Sequence, residues 1–382
     1  MPSTAAAASE ALARIEANAR ATHSDAVLVM RDDEVLLDLD ARAEVAPIEL
    51  MSATKSIVAL AVGRLLFDGH LASLDEPVHA FFPEWRQGRK RDITVRMLLD
   101  HTSGLQNVGN TDLEIYPAPD VVRLALAAEL EADPGTQYAY NNKATNLLSG
   151  VVERASGERM DRYLARTLFE PLGIVAGPWY TDEAGNPHGM AGLPLTARDA
   201  ARLGRLVLDR GLAPDGTRLL DEDFIEAMLA PSARSADVGL LWWRIPRWER
   251  YDFNPGALAA LRERGADPAF VEALAPLEGQ RFDSRDATFA ALQTHIGGSD
   301  WTARYEEEVS GRGFRFRDIF SSSRGEVVAY RAVGYLGQTI VVVPEKRLVA
   351  VRQIVNRREA HVSPHDDYPG FTADVLALAE AL

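Results

Sequence analysis

The sequence predicts an α+β fold, with one antiparallel sheet built from strands at both ends of the chain and an all-helical region between them. Three observations lead there. Apolar runs at Ala26–Met30 and Val35–Leu39 flank the charged turn Arg31-Asp32-Asp33-Glu34, which is a hairpin pattern. Val327–Ala332, Thr339–Val343 and Leu348–Val355 are β-branched runs divided by turns such as Pro344-Glu345-Lys346. Between the two groups the chain reads mainly helical from about 70 to 230, punctuated by Pro83, Ser103-Gly104, Asp133-Pro134-Gly135, Gly157, Pro171 and Gly185-Asn186-Pro187.

The remaining elements follow in order. Ser9–Thr22 has apolar residues at helical spacing and forms the N-terminal piece, residues 1–24. Ile57–Leu66 is a strongly apolar helix that starts just after Ser52 and is stopped by Gly69. Val238–Trp243 reads as the start of a strand. Over residues 247–325 the pattern weakens to short helices, Ala257–Arg264 and Pro268–Ala275, between polar stretches. That stretch is expected to be an insertion, a lid or substrate-binding region, interrupting a main domain of residues 25–243 and 326–382. Thr372–Leu382 closes the chain as a helix.

Composition narrows the function classes. The chain has 382 residues, 47% hydrophobic and 25% charged, the balance of a globular protein with a sizeable core. It has no cysteine, which excludes disulfides, thiolate zinc sites and a cysteine nucleophile. A net charge of −15 speaks against nucleic acid and against an anionic membrane surface. The basic run Arg86–Arg91 is short and reads as a solvated loop. No stretch approaches the ~20 apolar residues of a membrane span, and no basic segment with an apolar core opens the chain. The default location is the cytoplasm, although the mature form of an exported protein would read the same. Oligomeric state is not legible.

Three short segments carry chemistry. In Met51-Ser52-Ala53-Thr54-Lys55, residues three apart share a helix face, so Lys55 is delivered beside the Ser52 hydroxyl. Serine is a weak nucleophile until a base takes its proton, and a desolvated lysine can be that base. Tyr140-Asn141-Asn142 follows Pro134-Gly135 and precedes an apolar helix. Its Tyr and Asn can point into one cleft, or equally serve as a packed Tyr and a helix cap. Gly334-Tyr335-Leu336-Gly337-Gln338 runs into the strand Thr339–Val343, where glycines flanking an edge strand permit close approach of a substrate, or merely bend the chain.

Ser-x-x-Lys, then Tyr-x-Asn, then a glycine-flanked strand resembles the motif order of penicillin-binding proteins and β-lactamases. The chain looks most like the class C branch, which includes β-lactamases, D-alanyl-D-amino-acid peptidases, family VIII esterases and aminohexanoate-dimer hydrolases. Met97-Leu98-Leu99-Asp100-His101-Thr102-Ser103-Gly104-Leu105 resembles a segment of that branch, as do Leu74–Val78, Ala191–Gly211 and Gly334–Pro344. The resemblance covers roughly residues 25–243 and 326–380. It implies a β-lactamase/DD-peptidase-like fold, Ser52 as nucleophile, Lys55 as its partner, Tyr140 as general base and Asn142 as a contact of substrate and Lys55. It further implies backbone N–H groups of Ser52 and Gln338 as an oxyanion hole, with Gly337 allowing close approach, and neither metal nor cofactor.

Tyr335 departs from the pattern, because it stands where Lys or His usually meets a substrate carboxylate. A phenol donates a hydrogen bond but brings no charge at neutral pH. The expected activity is acyl transfer from a small ester, amide or peptide-like molecule to water. The rivals are a β-lactamase or D-alanyl-D-alanine carboxypeptidase, with charge supplied by Arg352 or the insertion, and a binding protein that keeps the fold without turnover. His101 reads as structural. His361 and His365, with Pro364 between them, read as loop residues rather than a metal pair. Trp242, Trp243, Trp248 and Trp301 read as core, with some free to line a cleft.

Overall fold

The computed structural model describes residues 4–357 and 367–382. The chain divides into two compact units, residues 1–245 with 329–382, and residues 246–328. In the first unit the hairpin forms as β1 (Ala26–Arg31) and β2 (Glu34–Asp40), joined through Asp32-Asp33. These join β3 (Trp243–Pro246), β4 (Val327–Gly334), β5 (Gln338–Val343) and β6 (Leu348–Gln353) in one sheet. The order is β2-β1-β6-β5-β4-β3, and the pairs β1–β2, β1–β6, β5–β6 and β4–β5 are antiparallel. The fold is α+β.

Two expectations need correction. Val238–Trp242 is not strand. It is a tight turn with Leu241 at φ 61°, and the strand proper starts at Trp243, because Val238 and Trp243 pair with each other across the turn. The strand after Gly337 is not at an edge either, since β5 has β6 on one side and β4 on the other.

Alternation along the strands builds three layers. Val27, Val29, Val341, Val343 and Ala350 face a pair of helices, α1 (Thr4–Ala21) and a C-terminal helix (Phe371–Ala381). Leu28, Ile340, Val342, Val349 and Val351 face the helical region. That region includes α2 (Thr54–Phe67), α3 (Asn142–Ser156) and α4 (Ala197–Leu208). α4 lies so close to the sheet that a Cβ on Gly204 would stand 2.7 Å from Val349 and 3.1 Å from Ile340. Eleven of the fourteen residues of α2 are buried, which makes it the hydrophobic axle of the unit.

The second unit has its own core, centred on Phe253, Leu261, Phe270, Leu274, Leu292 and Phe320. It contains the short helices Ala257–Glu263 and Pro268–Leu274, and a three-stranded sheet of Glu249–Phe253, Arg281–Phe282 and Phe320–Arg324. Those strands lack a β-branched signature; one of them carries the run Ser321-Ser322-Ser323. Among the described residues no helix is long and apolar enough to cross a membrane.

Candidate active site

Ser52 lies in a single 3₁₀ turn, Met51–Ala53, that runs directly into α2. Met51 is held at φ 49°, in the left-handed region that side chains avoid, and such strain persists only where the surroundings impose it. The surroundings here are the segment around Leu193. Leu50 N–H donates to the Leu193 carbonyl at 2.9 Å, and Leu193 N–H donates to Thr54 Oγ1 at 3.3 Å.

Lys55 Nζ donates to Ser52 Oγ at 3.1 Å and to the Met190 carbonyl at 2.7 Å. Both acceptors are neutral, and Lys55 is 2% exposed. Burial without a carboxylate holds its pKa well below the ordinary lysine value, which favours the free amine that can accept a proton.

Tyr140 precedes α3 and closes the other side. Its ring lies 4.9 Å from Lys55 Nζ, and burial raises the pKa of its phenol, a rise that the Ser52 hydroxyl partly offsets. The loop bearing Tyr140 is pinned by His101, which is buried at φ 58°. His101 Nδ1 accepts from Asn141 N–H at 3.2 Å, its carbonyl accepts from Ala139 N–H at 2.9 Å, and its ring lies 4.7 Å from that of Tyr140. Burial, with Lys55 nearby, pushes the His101 pKa down to about 3, so the imidazole is neutral. Asn141 caps α3 by accepting from Ala144 N–H at 2.8 Å and ties the helix start to the Leu105 carbonyl at 2.6 Å.

Ser52 opens onto a cleft of about 630 Å³. Asn142 and Tyr335 line it, together with Tyr116, Tyr180, Glu49 and Asp112. Asn142 therefore reaches the cleft but not Lys55, whose partners are Ser52, Met190 and the Tyr140 ring. Among the described residues no Lys or Arg lines this cleft. Arg352, the alternative source of charge, is fully buried and donates to Ser24 Oγ at 2.8 Å and to the Leu336 carbonyl, where it props the turn from behind.

Neither Gly337 nor Gln338 lines the cleft. Gln338 is fully buried, its amide exchanging hydrogen bonds with the Ile354 backbone at 2.5 and 3.1 Å. Gly337 is packed under Asp367 and Arg352, where a Cβ would lie 2.1 Å from the Asp367 carbonyl. The close approach falls at Gly334 instead. A Cβ there would stand 2.3 Å from the Leu50 carbonyl and 3.0 Å from Ala53 N, so only glycine lets β4 end against the Ser52 turn.

Other sequence candidates disperse. Trp242 is buried and donates to the Ser56 carbonyl at 3.1 Å, while Trp243 lines the small void behind Ser52. Trp248 is exposed, and Trp301 packs toward Phe289. His361 and His365 lie outside the described residues. Sequence reasoning missed the Met190 carbonyl and the aromatic walls Tyr116 and Tyr180. A backbone acceptor has no residue-type signature, and neither tyrosine belongs to a motif.

Comparison with known proteins agrees with this architecture. The chain is 31% identical over 245 residues to 6-aminohexanoate-dimer hydrolase of Paenarthrobacter ureafaciens, spanning 58% of this chain and 61% of that one. It is 35% identical over 144 residues to esterase EstB of Burkholderia gladioli, spanning 33% and 36%. The match thus covers less than two thirds of either relative. Among solved structures, a proposed β-lactamase from Bacteroides dorei DSM 17855 superposes with a TM-score of 0.64 at 17% identity, covering 97% of this chain and 98% of the other. A penicillin-binding protein from Bacillus halodurans gives 0.57 at 16% identity, covering 95% and 98%. The β-lactamase family model matches residues 12–244, more than half of the sequence, and this chain belongs to that family.

Proposed function

We propose that the protein is a serine hydrolase that passes through an acyl-enzyme on Ser52 and acts on small esters or amides. One observation carries the reading: a buried lysine with only neutral partners donates to the Ser52 hydroxyl at 3.1 Å, at the floor of an open cleft. Ser52 Oγ attacks the substrate carbonyl and its proton passes to Lys55. Tyr140, on the same hydroxyl, relays a proton to the leaving group, and in deacylation Tyr140 and Lys55 take one from the attacking water. The negative oxygen is held by the backbone N–H of Ser52. The second donor is the N–H of Tyr335, not that of Gln338, because the Gly334–Tyr335 backbone is what abuts the Ser52 turn.

The lining favours substrates without a carboxylate. Asp112 stands in the cleft wall, among the described residues no Lys or Arg lines it, and Tyr335 offers a phenol as donor. The relatives, named a 6-aminohexanoate-dimer hydrolase and an esterase, support the same range. A non-catalytic role fits poorly with Ser52 and Lys55 hydrogen-bonded to each other and the Tyr140 ring beside Lys55. The test is intact-protein mass after a fluorophosphonate probe and, separately, after a penicillin. A single fluorophosphonate adduct mapped to Ser52 is expected. No adduct with the probe would defeat the hydrolase reading, and a stable penicillin adduct would shift it toward the penicillin-binding branch.

A further inference from the structure

Met190 joins the two helices that carry the catalytic groups. Its carbonyl accepts from Lys55 Nζ at 2.7 Å on the α2 side, and its N–H donates to Asn146 Oδ1 at 2.9 Å on the α3 side. Asn146 stands one turn beyond Asn142 on the same face of α3. The preceding residue, Gly189, is pressed so closely onto α3 that a Cβ would lie 2.1 Å from the Thr145 carbonyl. The peptide that orients Lys55 is therefore clamped between the two helices.

Asn146 is fully buried, and its Nδ2 has no hydrogen-bond partner. An unsatisfied buried amide is costly, and an apolar residue of the same size would avoid the cost unless the other end of the amide is needed. Turning the amide over gives no relief, because Nδ2 would then face the Met190 N–H, donor against donor. Only Oδ1 has a use here, and that use is holding Met190.

We infer that Asn146 is a positioning residue for Lys55, acting through the Met190 backbone to fix the carbonyl that aims Nζ at Ser52. This rests on the reading of Lys55 as the catalytic base. The other titratable groups facing Lys55 are Tyr140 and the neutral His101. Neither contacts Asn146 in the hydrogen bonds described.

The chain has four lysines, Lys55, Lys90, Lys143 and Lys346, so ¹³Cε-lysine labelling gives four signals and a direct titration of Lys55. Asn146→Leu should lower kcat on a p-nitrophenyl ester by about tenfold or more with little change in KM. Its Lys55 midpoint should fall further, because the ammonium form gains most from an ordered acceptor. Asn146→Asp keeps an acceptor oxygen and adds negative charge. Its Lys55 midpoint should rise, and at pH above that midpoint it should recover kcat relative to the leucine variant. Wild-type kcat and an unmoved Lys55 midpoint in Asn146→Leu would overturn the assignment, as would an aspartate variant that matches leucine in both readouts. If the leucine variant does not fold, the aspartate variant alone carries the test. If wild type neither labels with fluorophosphonate nor hydrolyses esters, the hydrolase reading fails, while the Lys55 titration still decides the role of Asn146.

Discussion

The first turns of α2 and α3 each bury a lysine, and the two are used in opposite ways. Lys143 is 1% exposed and donates to Glu114 Oε1 at 2.7 Å and to Gln106 Oε1 at 2.5 Å. It meets a carboxylate, so its charge is matched where it stands. Lys55 is equally buried and meets a hydroxyl, a carbonyl and an aromatic ring. The first arrangement ties the short helix Thr111–Glu114, whose Thr111 and Asp112 line the cleft, to the start of α3. The second leaves an amine whose protonated form is penalised by burial, which is what a base requires. In the proposed mechanism burial alone does not make a lysine a base; it also needs partners that carry no charge, as those of Lys55 do.

The sharpest way to break this contrast is at the hydroxyl that only the α2 lysine touches. Ser52→Ala should abolish ester turnover and fluorophosphonate labelling while leaving circular dichroism unchanged. Any genuine substrate still turned over by that variant would separate Lys55 from the chemistry. Substitution of Lys55 or Tyr140 should each lower kcat by about 10²-fold or more. The double variant should fall well short of the product, since both act on the Ser52 proton. Additive losses in log kcat would show two independent roles.

The same pair of lysines should divide activity from stability. Lys143→Ala leaves Glu114 without its cation and should cost about 3 kcal/mol in urea unfolding, with kcat changed much less. Lys55→Met should do the reverse, raising stability at pH 7 while removing activity. The sign follows from the depressed folded pKa. Between that pKa and the ordinary value of about 10.4, the unfolded chain holds a proton that the folded chain does not, so stability climbs with pH across that window. The penalty is fully present below the folded pKa and gone above the ordinary one. Urea midpoints measured from pH 6 to pH 10 should slope upward in wild type and lose that component in Lys55→Met. Parallel profiles would mean that Lys55 is not desolvated.

The smallest effect is expected at the cleft mouth, where Tyr335 is 67% exposed. A hydrogen bond to a charged group contributes roughly 1.5–3 kcal/mol, less at an exposed position, so Tyr335→Lys should improve kcat/KM for nitrocefin about tenfold relative to a short-chain ester. A wild type that already prefers nitrocefin to every neutral ester would mean that a cation reaches the carboxylate by another route.

The sequence by itself determined the fold class and the local half of the site. Hairpin alternation at 26–39 and the β-branched runs after 327 define strands whatever surrounds them, because pleat period and turn chemistry are local. The Ser52–Lys55 spacing works the same way, since a helical turn places residues three apart together without outside help. What lies across the chain was decided only by tertiary packing. The strands of the second unit lacked an apolar signature because one face of a small sheet suffices for its core, so Ser321–Ser323 reads as loop. Gln338 was a plausible oxyanion donor by motif position, yet the close approach fell at Gly334, because contact with the Leu50–Ala53 turn depends on where β4 ends. Arg352 carried a charge that the sequence could have spent in the cleft, and the sheet register turned it inward to brace Leu336. The Met190 carbonyl and its tie to Asn146 were invisible for the plainest reason. Every residue has a backbone carbonyl, and only the fold decides which one a buried lysine will meet.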